Sequence, residues 1–346
     1  MKRHLVVVLA LVIALTMVFG AAPSLAADST GFAAKPEVEL ILAQYDPDNS
    51  LPGLLCHRWA DLVFQNSKGR IKVLVNSGGS LAKPNEVLSK IRSGAIDVAY
   101  GQPSMFPGQF KITDGLTLPY LPYKSSAHAS QVMFDIWDKT DLLKGDPGWG
   151  GVKVIQVRAN CDAPIITAKR KLNRVEDLKG MAIRATAAPL VNWLSVFGAT
   201  GRNCPITELF LNLQNGAFDG AITDWHAVET YRLYECAKFF ADEGLMYNSA
   251  FIIMNPAKYN SLSADNKKAI DMSSGQAAVD VIKDAWDNLK ATAIKSVAAT
   301  GGETYKLPAA EHKKLVDAAS KITQQWIAEN GPTAQRLYDK ILELCK

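Results

Sequence analysis

Past its first 26 residues the sequence contains no long uncharged apolar run, no closely spaced cysteine pair and no marked excess of either charge. The first absence excludes a second membrane-spanning segment. The leader itself reads Met-Lys-Arg-His, an apolar run from Leu5 to Phe19 and then "GAAPSLAADS", with Ser24-Leu25-Ala26 as a small-x-small cleavage site. Residues 1–26 are therefore expected to be a cleaved secretory signal peptide. No cysteine sits at the cleavage point, which argues against a lipid anchor. Cys56, Cys161, Cys204, Cys236 and Cys345 form neither a C-x-x-C nor a zinc-ligand pair. Export permits disulfides, but the odd number leaves at least one thiol free unless chains pair. Without Lys2 and Arg3, 36 basic side chains face 34 acidic ones, so nothing marks a nucleic-acid partner or an anionic membrane surface.

Catalytic signatures are missing as well. No H-E-x-x-H, G-x-S-x-G, Walker loop or G-x-G-x-x-G occurs. The glycines of "SGGSLAKPNE" lack the Gly-Lys-Ser/Thr of a phosphate cradle and read as a strand-to-helix turn. His57, His128, His226 and His312 stand apart from one another and from the cysteines, the pattern of surface or packing histidines. No cofactor is expected.

What remains is an α/β grammar written twice. From Val38 come the strand "VELILAQ", a loop "YDPDNSLPG", a helix over 54–66, the strand "RIKVLVN", a helix over 86–92 and the strand "IDVAY". A second pass begins near Val152 with "VKVIQVRAN", "IITA" and "EDLKGMAIRAT", then helices over 190–197 and 207–214 and the strand "FDGAIT". The alternation predicts parallel sheets flanked by helices. The junctions "IRSGAIDVAYG" (91–101) and "LQNGAFDGAIT" (213–223) match closely. Each ends a helix at a glycine, Gly94 or Gly216, and enters a strand at Asp97 or Asp219. Two similar α/β lobes follow. From Ser263, a helix N-cap, the pattern runs helically to about Ala299 with Gly275 inside it, long enough to lie across both lobes. "TYKLPAAEHKKLV" reads as a strand and a proline-started helix, and "AQRLYDKILEL" as a final helix.

One residue disturbs this apolar grammar. In "MAIRA" the strand period sends Met181 and Ile183 to one face and Ala182 and Arg184 to the other. A buried guanidinium needs an internal carboxylate, a route to solvent or an incoming anion. Arg158, ending "VKVIQVRAN", poses the same question.

Here the chain resembles the extracytoplasmic solute receptors of tripartite ATP-independent periplasmic (TRAP) transporters. The resemblance rests on "SGGSLAKPNEVLSKIRSGAIDVAYGQP", "EDLKGMAIRA" and "TELFLNLQNGAFDGAITDW", in that order, and extends over essentially the whole secreted chain. It implies two lobes of the type II periplasmic binding protein kind, a central cleft and a long helix spanning both. Lobe I would comprise 27–155 plus about 247–282, and lobe II 156–246 plus about 283–346. In such receptors the arginine of "DLKGMAIR" holds the carboxylate of an organic acid through a bidentate salt bridge, which places that role on Arg184.

The resemblance puts Arg158 at a second arginine contact of the sialic-acid members. Gln102 and Thr223 stand where those members carry an acidic residue and an asparagine, departures that argue against sialic acid. Trp225, in "TDW", is similar to an aromatic lid or wall of other branches. Asp224 precedes it where metal-binding relatives have glutamate, which leaves a metal open but unsupported, and none is assigned to the site. From lobe I, Tyr45 follows the first strand and Tyr100 and Gln102 follow the third, positions that face ligands in open α/β sheets.

The expected partners are a small organic acid and the membrane subunits of a TRAP permease, with the receptor itself a monomer in the periplasm. Pocket aromatics lean the ligand towards a keto, hydroxy or aromatic monocarboxylate rather than a C4-dicarboxylate. Two other readings are a receptor for an ATP-driven importer, which shares two lobes, and a secreted hydrolase or lyase using His226 with Asp224.

Overall fold

The computed structural model describes residues 32–281 and 285–346, so the expected signal peptide at 1–26 lies outside the described residues. Lobe I is built on a five-stranded sheet of order β2 (Ile71–Asn76), β1 (Val38–Ala43), β3 (Val98–Gly101), β10 (Tyr247–Met254) and β4 (Lys153–Asp162). Lobe II carries a six-stranded sheet of order β11 (Glu303–Tyr305), β9 (Phe239–Ala241), β5 (Ile165–Thr167), β8 (Gly220–Ile222), β6 (Ala182–Arg184) and β7 (Thr200–Arg202).

The alternation predicted parallel sheets, but both are mixed. β10 pairs antiparallel with both of its neighbours, and so does β5. The reason is the chain path: β10 and β5 are the strands that arrive from the other lobe, and they enter at the end where the parallel strands finish. β4 runs on to Asp162 as an edge strand of lobe I, past the expected boundary at 155, so the outward crossing is the short Ala163-Pro164 link.

Helices cover both sheets: α1 (Leu51–Asn66), α2 (Val87–Ser93) and α3 (Ser126–Lys139) in lobe I, and α4 (Ala188–Val196), α5 (Leu209–Gln214) and α6 (Trp225–Thr230) in lobe II. α1 shows the local logic. Ser50 accepts the Gly53 amide as N-cap, Pro52 opens the first turn, and Leu55, Cys56, Trp59, Ala60 and Val63 bury one stripe. Each large apolar side chain so buried contributes roughly 1.5–3 kcal/mol.

The helix expected over 263–299 is interrupted at Gly275: α7 (Pro256–Ser261) is followed by α8 (Ala264–Met272), α9 (Gln276–Asp280) and α10 (Ala285–Ala299). Ser263 does cap α8, but Gly275 sits at φ 61°, a left-handed value no α-helix accommodates. The helix that spans both lobes is α11 (Ala309–Leu344), broken at Gly331 (φ 73°) before Pro332. Its first half buries Leu315, Ala318 and Ile322 in the lobe II core, and Trp326, Leu337 and Ile341 enter the lobe I core. Trp326 closes on Gly115 so tightly that a Cβ there would lie 2.4 Å from the indole. No helix among the described residues is long and apolar enough to cross a membrane, and all five cysteines are free.

The paired junctions are matched atom for atom. Gly94 and Gly216 both take φ 74°, stopping their helices in the left-handed conformation. Asp97 then accepts the Ile41 amide of β1 at 2.8 Å, and Asp219 accepts the Ala182 amide of β6 at 2.8 Å. The same carboxylate therefore fixes the register of the neighbouring parallel strand in each lobe.

Candidate functional site

The parallel strands β1, β3, β6 and β8 finish at the interface between the lobes, where ligands of open α/β sheets sit. A cavity of about 20 Å³ lies there. Tyr45, Asp46, Gln102 and Met105 line it from lobe I, and Arg184, Thr186, Ile206, Thr223, Asp224, His226 and Ala227 from lobe II, with Asn248 of β10 at the seam. That volume holds about one water molecule, so the lobes are closed on the site and an organic ligand enters only as they part. A larger concavity of about 750 Å³, lined in part by Asp141, Asn330 and Arg336, opens on the outer surface. It has none of the unpaired buried donors that distinguish the interlobe site.

Arg184 ends β6, hydrogen-bonded in register between β7 and β8, and is 3% exposed. Its Nε donates to the Cys204 carbonyl at 3.2 Å, and its Nη2 is buried with no hydrogen-bond partner. No carboxylate lies within ion-pair distance of it among the described residues. Two of the three alternatives for this guanidinium are thus removed: it neither pairs internally nor reaches solvent. Burial draws its pKa down, although an arginine stays charged at any physiological pH.

Arg158 lies one layer behind the cavity and does not line it. Its Nη1 donates to the Ala159 carbonyl at 2.8 Å and to Asn160 Oδ1 at 2.9 Å, and its guanidinium stacks 4.6 Å from the Trp286 ring centroid. Tyr100 is in the same layer, its hydroxyl 3.4 Å from both the Gln102 and the Asn160 amide nitrogens. Tyr45 packs against Tyr100 and brings an unpaired hydroxyl to the cavity, which Gln102 and Thr223 also line. Trp225, expected as a lid or wall, points away. Its ring stacks on Phe240 inside lobe II and its Nε1 donates to Asp242, because the first turn of α6 turns this side chain to the core and the next one, His226, to the cleft.

Asp224 is the N-cap of α6, accepting the Ala227 amide at 3.0 Å. Its other oxygen accepts from Asn160 and Asn248, both at 3.2 Å. Burial alone would raise its pKa, but His226 and these donors hold it below the ordinary carboxylate value. His226 Nδ1 stands 3.6 Å from Asp224, an ion-pair rather than a hydrogen-bond distance, and its Nε2 is buried and unpaired. Burial opposes its protonation, yet the contact with Asp224 and the field of Asp46 leave the imidazole pKa raised. The hydrolase reading finds no nucleophile in this pair's neighbour Cys161, which accepts the His226 amide and whose thiol burial keeps protonated.

Sequence reasoning passed over Asp46, the residue after Tyr45. Its backbone is bracketed by the Gln44 side chain, which donates to Asp46 O at 2.6 Å and accepts its amide at 2.7 Å. Gly78, at φ 76° in the glycine turn after β2, donates to Asp46 O at 2.8 Å, so that turn buttresses this loop. Asp46 Oδ1 accepts the Tyr231 hydroxyl at 2.6 Å, a bond across the cleft, and its Oδ2 is buried and unpaired. Burial raises its pKa, with His226 and Tyr231 only partly opposing. Met105, Thr186, Ile206 and Asn248 were likewise not singled out. No group of three or more potential metal-binding side chains exists among the described residues.

A family model described as bacterial extracellular solute-binding protein, family 7, matches residues 42–330. The chain is 26% identical over 222 residues to the 2,3-diketo-L-gulonate-binding periplasmic protein of Escherichia coli, covering 64% of this chain and 66% of that protein, just under two thirds of its length. A solved TRAP solute binding protein from a marine metagenome, specific for aromatic acid ligands and in complex with metahydroxyphenylacetate, superposes with a TM-score of 0.81 at 24% identity, over 89% of this chain and 98% of that one. A TRAP periplasmic solute binding protein from Roseobacter denitrificans with bound beta-D-glucuronate gives 0.78 at 18% identity, over 88% and 99%. These two likenesses establish the two-lobed fold.

Proposed function

The chain belongs to family 7 of the bacterial extracellular solute-binding proteins, and from that premise we propose that it closes its two lobes on a small organic acid whose carboxylate salt-bridges Arg184. It is a binding protein, not an enzyme. On this reading the acid is captured outside the cytoplasm, after signal-peptide cleavage, and delivered to the membrane subunits of a TRAP permease. The observation that carries the reading is Arg184 itself, buried, charged and offering an unpaired Nη2 to an interlobe cavity. A planar carboxylate satisfies that fork, and closure strips water from the pair. The relatives' ligands, a diketo sugar acid, an aromatic acid and a uronate, share a carboxylate.

The test is thermal unfolding of the refolded chain against dicarboxylic, keto, hydroxy, aromatic and sugar acids, with Arg184→Ala in parallel. An acid at 100 times its dissociation constant adds about 2.7 kcal/mol to the parent. Removing the guanidinium costs about 2–5 kcal/mol of binding, on the order of 30-fold to several-thousand-fold. A variant that binds within about threefold of the parent rules out Arg184 as the anchor.

A further inference from the structure

Several of the buried polar atoms without a partner crowd this one site, and they are not all cationic donors. Against Arg184 Nη2 stand Asp46 Oδ2, the Tyr45 hydroxyl and His226 Nε2. Asp46 is 1% exposed and lines the same cavity as Arg184. Its Oδ1 is occupied by Tyr231, and the Gln44 and Gly78 bonds fix its backbone, so Oδ2 is held at the cavity rather than left free to turn away. A carboxylate oxygen so placed accepts hydrogen bonds and repels a second anion.

Resting on the organic-acid reading, we infer that the ligand is a hydroxy monocarboxylate whose hydroxyl donates to Asp46 Oδ2 while its carboxylate is held by Arg184. Charge excludes the neighbouring classes. A dicarboxylate brings its second anionic end beside Asp46 in a dry cavity. The ammonium of an amino acid would meet Asp46 and Asp224, but with the ligand carboxylate on Arg184 it leaves the site, which also holds His226 and has Arg158 behind it, with a net positive charge. A keto acid presents an acceptor to an acceptor and leaves Oδ2 unpaired. A hydroxyl is neutral and supplies the missing donor. Asp46 is then a specificity-determining residue, reading the hydroxyl as Arg184 reads the acid.

Matched acids that differ at one position test this. Lactate is compared with propionate, pyruvate and alanine, mandelate with phenylacetate, phenylglyoxylate and phenylglycine, and 3-hydroxybenzoate with benzoate, by calorimetry on the refolded parent. The expected result is that the hydroxy member of at least one set binds about tenfold or more tightly than all its partners, the effect of a hydrogen bond to a charged group. Asp46→Asn should reduce that preference to within about threefold, whereas Arg184→Ala should weaken hydroxy and deoxy members alike. A parent that binds deoxy, keto or amino members as tightly as hydroxy ones overturns this inference and leaves the acid receptor standing. An unchanged preference in Asp46→Asn also overturns it. A parent silent to every acid overturns both, so the two failures are distinct. The parent's own preference decides the matter even if Asp46→Asn does not fold.

Discussion

Ala43 in lobe I and Arg184 in lobe II occupy the same place in their sheets. Each lies two residues after the strand amide taken by the junction aspartate, Ile41 by Asp97 and Ala182 by Asp219. Each pairs with the alanine of the neighbouring strand, Ala99 or Ala221. The correspondence continues past the strand ends, where Tyr45 and Thr186, and Gln102 and Asp224, line the cavity from opposite sides. Yet Ala43 is a packed core residue, whereas Arg184 lines the cavity with an unpaired Nη2. The repeated scaffold thus delivers strand ends to one point, and the identity of single residues there decides which lobe brings an unpaired guanidinium to the cavity.

Exchanging the residues tests this most severely. Ala43→Arg forces a long, unpaired guanidinium into the lobe I core, and the combined overpacking and desolvation should cost several kcal/mol. Urea unfolding reads it directly. A variant within about 1 kcal/mol of the parent would show that lobe I has cleft space at this position, and the asymmetry argued above would fall.

The shared part of the scaffold should respond equally in both lobes. Asp97→Ala and Asp219→Ala each leave a strand amide without its charged acceptor, at a cost of about 1–3 kcal/mol. The pair should agree within about 1 kcal/mol, with any excess at Asp97, whose other oxygen lies 3.6 Å from Lys258. A cost confined to one lobe would break the structural equivalence of the junctions.

The repeat and Arg184 were legible because both are local. A helix-stopping glycine, a strand-entry aspartate and a guanidinium in an apolar strand need no distant partner to be noticed. Asp46 was not, since whether the residue after Tyr45 also faces the cavity depends on the glycine turn after β2, whose Gly78 donates to the Asp46 carbonyl from the neighbouring strand's end. Trp225 failed for a related reason: its direction is set by Phe240 and Asp242, far along the chain. The spanning helix was sought at 263–299, where the apolar pattern continues, but a single positive φ at Gly275 overrides periodicity. α11 reads as two helices in sequence and is two helices joined at a kink, and only packing shows that its halves serve different lobes.

The smallest effect separates the two buried carboxyls of the cleft, which shift in opposite senses. Asp224, with three hydrogen-bond donors and His226 beside it, is held below its ordinary pKa, so it contributes stability above about pH 4 that is lost as pH falls through its folded value. Asp46 is raised by burial, so its contribution is present below about pH 4 and lost as pH rises through its folded value. At neutral pH the lobe I carboxylate is therefore a cost to the ligand-free chain. Asp46→Asn keeps an oxygen for Tyr231 and removes the charge, and should stabilise the ligand-free chain on the order of 1 kcal/mol at pH 7. The gain should shrink towards zero below about pH 4, where the parent carboxyl is protonated in both states. Chemical unfolding of both chains from pH 3 to 8 measures it, and a variant less stable than the parent at pH 7 would mean that Tyr231 and His226 already repay the buried charge. A stabilised variant that has also lost its preference for hydroxy acids would locate in one oxygen of lobe I both a strain on the closed fold and the reading of the ligand.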